Sequence, residues 1–189
     1  MPPSVRIDKA TILNAAIELL NEKGLDAINS RSVAKRIGCS TQPIFSTYGS
    51  MSNLLEDVIV YVEDFFFNYL KRVTLDESFF LNIGLSYIQF AQEYKNYFAT
   101  LFLLNNFKNM TFESYINSDN TQFVRDGIRQ LFTIDEARAT GLFLDMWIYS
   151  HGIACMISTN NINMSTDIIE EMLTNLLYSL LNEKNLLEE

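Results

Sequence analysis

Thr41 and Gln42, with Ser46 one helical turn later, are the residues of this chain best suited to touch base edges of double-stranded DNA. A Gln side chain can bond adenine N6 and N7 together, and Thr offers a hydroxyl or its methyl group. Around them Ser32, Ser40, Thr47 and Tyr48 carry hydroxyls of the kind that bond phosphate oxygens. Arg6, Lys9, Arg31, Lys35 and Arg36 can supply the electrostatic attraction to a polyanion. The competing reading is a short capped helix in a bundle, with its polar residues merely solvated. No Lys or Arg lies between Cys39 and Ser50, so spacing alone leaves both readings open.

Two further groups bear on chemistry. His151, the one histidine, follows Trp147 and precedes Cys155 by four residues each, so all three share a helical face. A thiolate–imidazole pair is geometrically allowed there, but a strongly apolar helix favours an inert buried thiol and a histidine bonded to a buried partner. Rings crowd the middle of the chain. Phe66, Tyr69, Phe90, Tyr94, Phe98 and Phe102, together with Trp147 and His151, form the candidate effector pocket. Ligand sites are mostly apolar with few polar anchors, although rings that simply fill a core give the same pattern. With a single His and no Glu-x-x-His pair, a di-iron bundle is implausible. No catalytic residue, metal or cofactor is expected, and an enzyme is a distant third reading.

Composition sets the frame for these residues. The chain has 189 residues and is 48% apolar, enough for a sizeable core. Only 7 Gly and 3 Pro occur, which favours long helices over many short strands. The longest apolar stretch, residues 141–157, is interrupted by Asp145 and His151 and reads as a buried helix, not a membrane span. The start, "MPPSVRIDKA", has no apolar signal core, and two distant cysteines make no disulfide framework. A cytoplasmic location is expected. The net charge of -9 is uneven: residues 1–52 hold six basic and four acidic residues, and the remainder eight and nineteen. A polyanion is attracted only to the head and repelled elsewhere.

The elements that must position these residues follow from periodicity. Ile12, Leu13, Ala16, Leu19 and Leu20 mark a first helix, with Asp8 as N-cap and Gly24 as a left-handed C-cap. Ser30 is expected to cap a second, carrying Val33, Ala34 and Ile37 and ended by Gly38. A third starts from Ser40, with Pro43 in its first turn, where its missing N–H costs nothing. Ile44 and Tyr48 then face inward, Phe45 lies at the edge, Gly49 ends the helix and Ser50 caps the next. Two helices joined by a Gly-containing turn behind a stabilising first helix make a helix-turn-helix. Its second helix would enter the major groove. Longer helices follow over about 51–73, 77–94, 95–106, 111–131, 133–159 and 165–185. In the penultimate one Leu142, Met146, Tyr149, Ile153 and Met156 form a heptad-like seam. The last is amphipathic through Ile169, Met172, Leu173, Leu176 and Leu180. Gly152 would let another helix approach closely.

The runs "ILNAAIELLNEKGLDAINSRSVAKRIGCS" and "TQPIFSTYGSMSNLLEDV" resemble the head of the TetR family of bacterial transcriptional regulators. "WIYSHGIACMI" is similar to a Trp-x-x-x-His-Gly pattern in the penultimate helix of one subgroup. The resemblance implies an all-α fold: a three-helix helix-turn-helix head over 1–52, then a larger helical effector-binding and dimerisation domain over 53–189. It implies a homodimer through the last two helices, and a repressor released from DNA by a small apolar or aromatic effector. DNA contacts would fall on Arg31, Ser32, Ser40, Thr41, Gln42, Pro43, Phe45, Ser46, Thr47 and Tyr48. Many relatives have Tyr at the position of Phe45, Arg and His at Ser46 and Thr47, and Lys at Met51. Those differences predict weaker non-specific binding and a shallower salt dependence. They also motivate an alternative, a module of this fold that acts through a protein partner without reading DNA.

Overall fold

The computed structural model describes residues 7–104, 116, 118–160 and 162–183. Among them are nine α-helices and no strand. They are α1 (Lys9–Lys23), α2 (Ser30–Ile37), α3 (Gln42–Tyr48), α4 (Met51–Leu70), α5 (Phe79–Glu93), α6 (Lys95–Phe98), α7 (Asp119–Phe132), α8 (Glu136–Asn160) and α9 (Thr166–Glu183). A 3-10 turn, Leu25–Ala27, links α1 to α2. The described residues form two compact units, 7–65 with 96–104, and 66–95 with those from 116 on. The first unit therefore runs past residue 52 into α4.

In the first unit, Asp8 caps α1, its Oδ1 accepting from Thr11 N at 2.8 Å. The cap of α2 is Asn29 and not the expected Ser30. Asn29 Oδ1 accepts from Ser32 N, and Ser32 Oγ accepts from Asn29 N, both at 3.0 Å. This reciprocal box satisfies two donors at once, more than Ser30 alone offers. Gly38 closes α2 in the left-handed region (φ 79°, ψ 35°), which a side chain would strain. Gly24 also has positive φ, but its ψ of 175° is extended, so it is not the expected left-handed cap. Ser50 Oγ accepts from Asn53 N at 3.2 Å at the start of α4.

Ile12, Ala16, Leu20, Val33, Ile44, Leu54 and Val58 are fully buried and form the centre of this unit. Each large aliphatic side chain among them contributes roughly 1.5–3 kcal/mol by leaving water. Asn96 Nδ2 donates to Asn21 O at 2.9 Å and so ties the start of α6 to the end of α1. The expected regular helix from Lys95 changes register after Phe98. Ala99–Leu103 is a π-helical turn, with Leu104 N bonded to Ala99 O at 3.0 Å.

In the second unit α5 packs against α7, α8 and α9, and α7 packs against α8. Gly84 permits the close approach: a Cβ there would lie 3.1 Å from both Leu173 Cδ1 and Ser150 Oγ. Arg125 is buried in α7. Its Nε donates to Glu136 Oε1 at 3.1 Å and its Nη1 to Thr121 Oγ1 at 2.8 Å, and Nη1 also reaches Ile116 O. A buried guanidinium needs such a full set of acceptors. The expected seam on α8 is split. Leu142, Met146 and Ile153 are buried, whereas Tyr149 and Met156 are exposed. They share an outer face with Ile148 and Gly152. The expected start of the preceding helix at Thr111 lies outside the described residues.

No described helix is long and apolar enough to cross a membrane.

Candidate functional site

The α3 helix begins one residue later than expected. Thr41 is its N-cap, with no side-chain cap bond, and Pro43 is the second helical residue. The reason for Pro43 is unchanged, since an N–H at that position has no partner within the helix. Ile44 is fully buried and Tyr48 nearly so. They turn Gln42, Phe45, Ser46 and Thr47 outward, all exposed, with Ser40 exposed before them. Phe45 alone among these is large and apolar, and 44% of it is exposed. The outward residues Gln42, Phe45 and Ser46 recur at i, i+3 and i+4, one helical face.

The head's cations divide into two sets. Arg36 Nη1 donates to Glu22 Oε1 at 2.7 Å and to Glu18 Oε2 at 3.0 Å, both on α1. That bond holds the Glu22 carboxyl below its ordinary range. Lys9 Nζ lies 2.7 Å from Asp57 Oδ2 and 5.1 Å above the centroid of the Tyr48 ring. Burial, with Asp57 nearby, pushes the Tyr48 phenol up to about 12, so it stays protonated at neutral pH. Arg31 and Lys35 are exposed. Arg6 lies outside the described residues. The Ser32 hydroxyl is already engaged in the cap of α2 and donates to Ala27 O at 2.6 Å. Arg31, Ser40, Gln42, Phe45, Ser46 and Thr47 are thus on the surface, and Tyr48 is in the core.

Residues 12–58 match the family model for bacterial regulatory proteins of the tetR family. The head carries the TetR-type sequence pattern. The whole fold is shared with TetR-family regulators of known structure. A transcriptional regulator from Rhodococcus sp. Rha1 is 17% identical, with 92% of this chain and 96% of that one covered at a TM-score of 0.66. A TetR-family member from Streptomyces coelicolor A3 is 14% identical over 88% and 96%, with a TM-score of 0.61. The TetR-family repressor AlkX from Dietzia sp. strain DQ12-45-1b, implicated in biodegradation of n-alkanes, is 15% identical over 93% and 98%, at 0.52. No curated protein matches the chain in sequence. At these identities the likeness fixes the fold. The TetR-type head matches in sequence as well.

The second unit holds an apolar cavity of about 30 Å³ between the end of α4 and helices α5, α7 and α8. Half of its lining residues are aromatic, and none is charged. Of the expected pocket residues, Phe66 and Trp147 line it. Phe90 is fully buried behind Phe66, with ring centroids 5.0 Å apart, and Tyr94 stacks on Phe90 at 5.2 Å. Tyr69 borders a separate open groove, and its hydroxyl donates to Glu93 Oε2 at 3.3 Å. Phe98 and Phe102 pack on each other in the first unit and are not brought to this cavity.

His151 stands behind the wall. Its Nδ1 is 2.9 Å from the hydroxyl of Tyr87, a lining residue, and its Nε2 is 3.3 Å from Cys155 Sγ. Either neutral tautomer satisfies both contacts, one nitrogen donating and the other accepting. Trp147 stacks on the imidazole with centroids 5.4 Å apart. Burial lowers the His151 pKa and raises that of Cys155, so a neutral imidazole faces a thiol, the unreactive pairing. Among the described residues no group of three or more His, Cys, Asp or Glu could hold a metal.

Ser150 and Gly84 line the cavity too, and sequence reasoning passed over both. The available signal was a Gly within an apolar helix, which marks a close approach.

Proposed function

We propose that the protein is a dimeric DNA-binding transcriptional regulator, a repressor released from its operator by a small apolar or aromatic effector. The observation that carries this reading is the outward face of α3. Gln42, Ser46 and Thr47 are held outward by the buried Ile44 and Tyr48 in a TetR-type helix-turn-helix. Such a helix reads base edges from the major groove, and a dimer places its two copies about 34–36 Å apart or a multiple of that.

The dimer contact is assigned to the outer faces of α8 and α9. Ile148, Tyr149 and Met156 are exposed on α8, and Ile168 and Tyr178 on α9. Gly152, in the middle of the α8 face, has open space where its Cβ would stand.

The effector reading rests on the cavity. At about 30 Å³ it has room for about two waters and no more. A ligand of any larger size must part the helices around it, and so favours a different arrangement of the second unit. Phe66, Phe67 and Leu70 in the wall belong to α4, the helix that follows α3. A ligand that prefers one arrangement then lowers DNA affinity through linkage. The n-alkane association of the Dietzia repressor belongs to that protein; the absence of any charged residue from this mostly apolar wall supports an uncharged effector on its own.

A second reading has a specific observation behind it. The exposed face of α3 has no Lys or Arg, and Arg36 is held by Glu18 and Glu22. A module acting through a protein partner would look the same. Selection of bound fragments from a random duplex library separates the two. The regulator reading expects an enriched two-fold-symmetric sequence, with Gln42→Ala relaxing the base preference and leaving the dimer intact. Salt-insensitive or sequence-blind association would remove it.

A further inference from the structure

Ser150 is 1% exposed, lines the cavity, and its Oγ finds no hydrogen-bond partner among the described residues. A buried helical hydroxyl can satisfy itself by bonding back to the carbonyl four residues earlier. Among the described residues Thr100 bonds Asn96 O, Thr159 bonds Cys155 O and Ser179 bonds Asn175 O in this way, at 2.7, 2.7 and 2.9 Å. Ser150 and Ser158 do not, and of these two only Ser150 lines the cavity. A buried hydroxyl without a partner is costly and requires a reason.

The rest of the wall narrows that reason. The Tyr87 hydroxyl is engaged with His151, and Thr121 Oγ1 donates to Ile116 O at 2.7 Å. Arg125, behind Thr121, is paired with Glu136 and offers no anchor for an anion. Gly84 keeps the space in front of the hydroxyl open, since a Cβ there would stand 3.1 Å from Ser150 Oγ. An occupant that brings an apolar body and one hydrogen-bonding group satisfies the hydroxyl once the helices around the cavity part to admit it. The aromatic wall favours edge and face contacts with a ring.

We infer that the cavity takes a neutral aromatic molecule bearing a single hydroxyl, a simple phenol in chemical class, whose oxygen bonds Ser150 Oγ. This rests on the effector reading above and sharpens it. Charged aromatics are excluded, because an ion in that wall has nothing to replace its water.

The test is calorimetric titration of the full-length protein at pH 7 with 4-methylphenol, toluene and 4-methylbenzoate. In the native protein 4-methylphenol is expected to bind roughly five-fold or more tightly than toluene, the worth of one neutral hydrogen bond. No binding of 4-methylbenzoate is expected. Ser150→Ala should bring 4-methylphenol down to the toluene affinity and leave toluene unchanged. Without ligand the same variant should melt at the same or a higher temperature, because it removes an unpartnered group. Equal binding of the phenol and toluene, a preference that survives Ser150→Ala, comparable binding of the benzoate, binding of none of the three, or a lower melting temperature each overturns the inference. Release of the selected duplex is scored separately. Ser150-dependent phenol binding without release upholds the ligand class and removes the effector reading. Release by a charged compound does the opposite.

Discussion

Arg36 on α2 reaches Glu22 on α1 with 2.7 Å between Nη1 and Oε1, and the same nitrogen reaches Glu18 at 3.0 Å. A cation that composition alone assigns to DNA is therefore bonded within the head. Lys9, held at Asp57, is in the same position.

This division predicts unequal effects on salt dependence. Arg31→Ala and Lys35→Ala should each reduce the slope of log affinity against log salt by about one unit. Arg36→Ala should leave the slope close to that of the native protein while loosening the packing of α1 on α2. Fluorescence anisotropy with the selected duplex at several salt concentrations reads all three. An Arg36 variant with the largest slope change would show that the pair opens on DNA.

Ile148→Asp places a charge in the apolar outer face of α8. Sedimentation equilibrium should show monomer where the native chain shows dimer, with helix content retained. A charge buried at such a contact costs several-fold more than it does on an open surface. A variant that stays dimeric would move the contact elsewhere.

Among the glycines described in the second unit, Gly127 on α7 marks the tightest approach. A Cβ there would stand 2.3 Å from Phe79 Cε1, on a ring that is itself buried. Gly127→Ala should lose about 1–3 kcal/mol to overpacking, despite the better helix propensity of Ala. Gly152→Ala, with open space, is the control in the monomeric background of Ile148→Asp, and should gain a few tenths to about 1 kcal/mol. Urea unfolding measures both, and equal stability of the two would refute the close-packing account.

Acid sensitivity should trace to His151. Burial lowers its pKa from the ordinary 6.5, so the unfolded chain takes up a proton that the folded chain refuses. Stability is then full above about pH 6.5, falls as pH drops below it, and levels off below the folded value. Since the chain has one histidine, that window belongs to it alone. Melting temperatures of the native protein and His151→Asn between pH 7.5 and 5.5 should converge toward the acid end. Parallel curves would mean that the imidazole titrates as it does in water.

The parts legible in the sequence were those fixed by local rules. Asp8 and Ser50 cap as their side chains dictate, and Ile44, Tyr48 and Phe45 take their places because a helix repeats every 3.6 residues. Caps that depend on a reciprocal partner were harder. Asn29 wins over Ser30 only because Ser32 stands three residues on. The π-helical turn after Phe98 has no sequence signature. In the second unit, apolar residues occur on more than one side of α8, so periodicity could not separate the core face of Leu142 and Met146 from the outer face of Tyr149 and Met156. The cavity was least legible, because which of many rings surround a void depends on helix placement. Ser150 becomes visible only once its missing partner is seen.

The α3 helix keeps its footing and its vocabulary on different sides. Ile44 and Tyr48 hold it from the core, while Gln42, Ser46 and Thr47 are exposed to solvent. Exchanges at such solvent-facing positions usually stay within about 0.5 kcal/mol. If α3 reads DNA as proposed, a lineage carrying this head can drift from one operator to another by single substitutions, without passing through an unfolded ancestor.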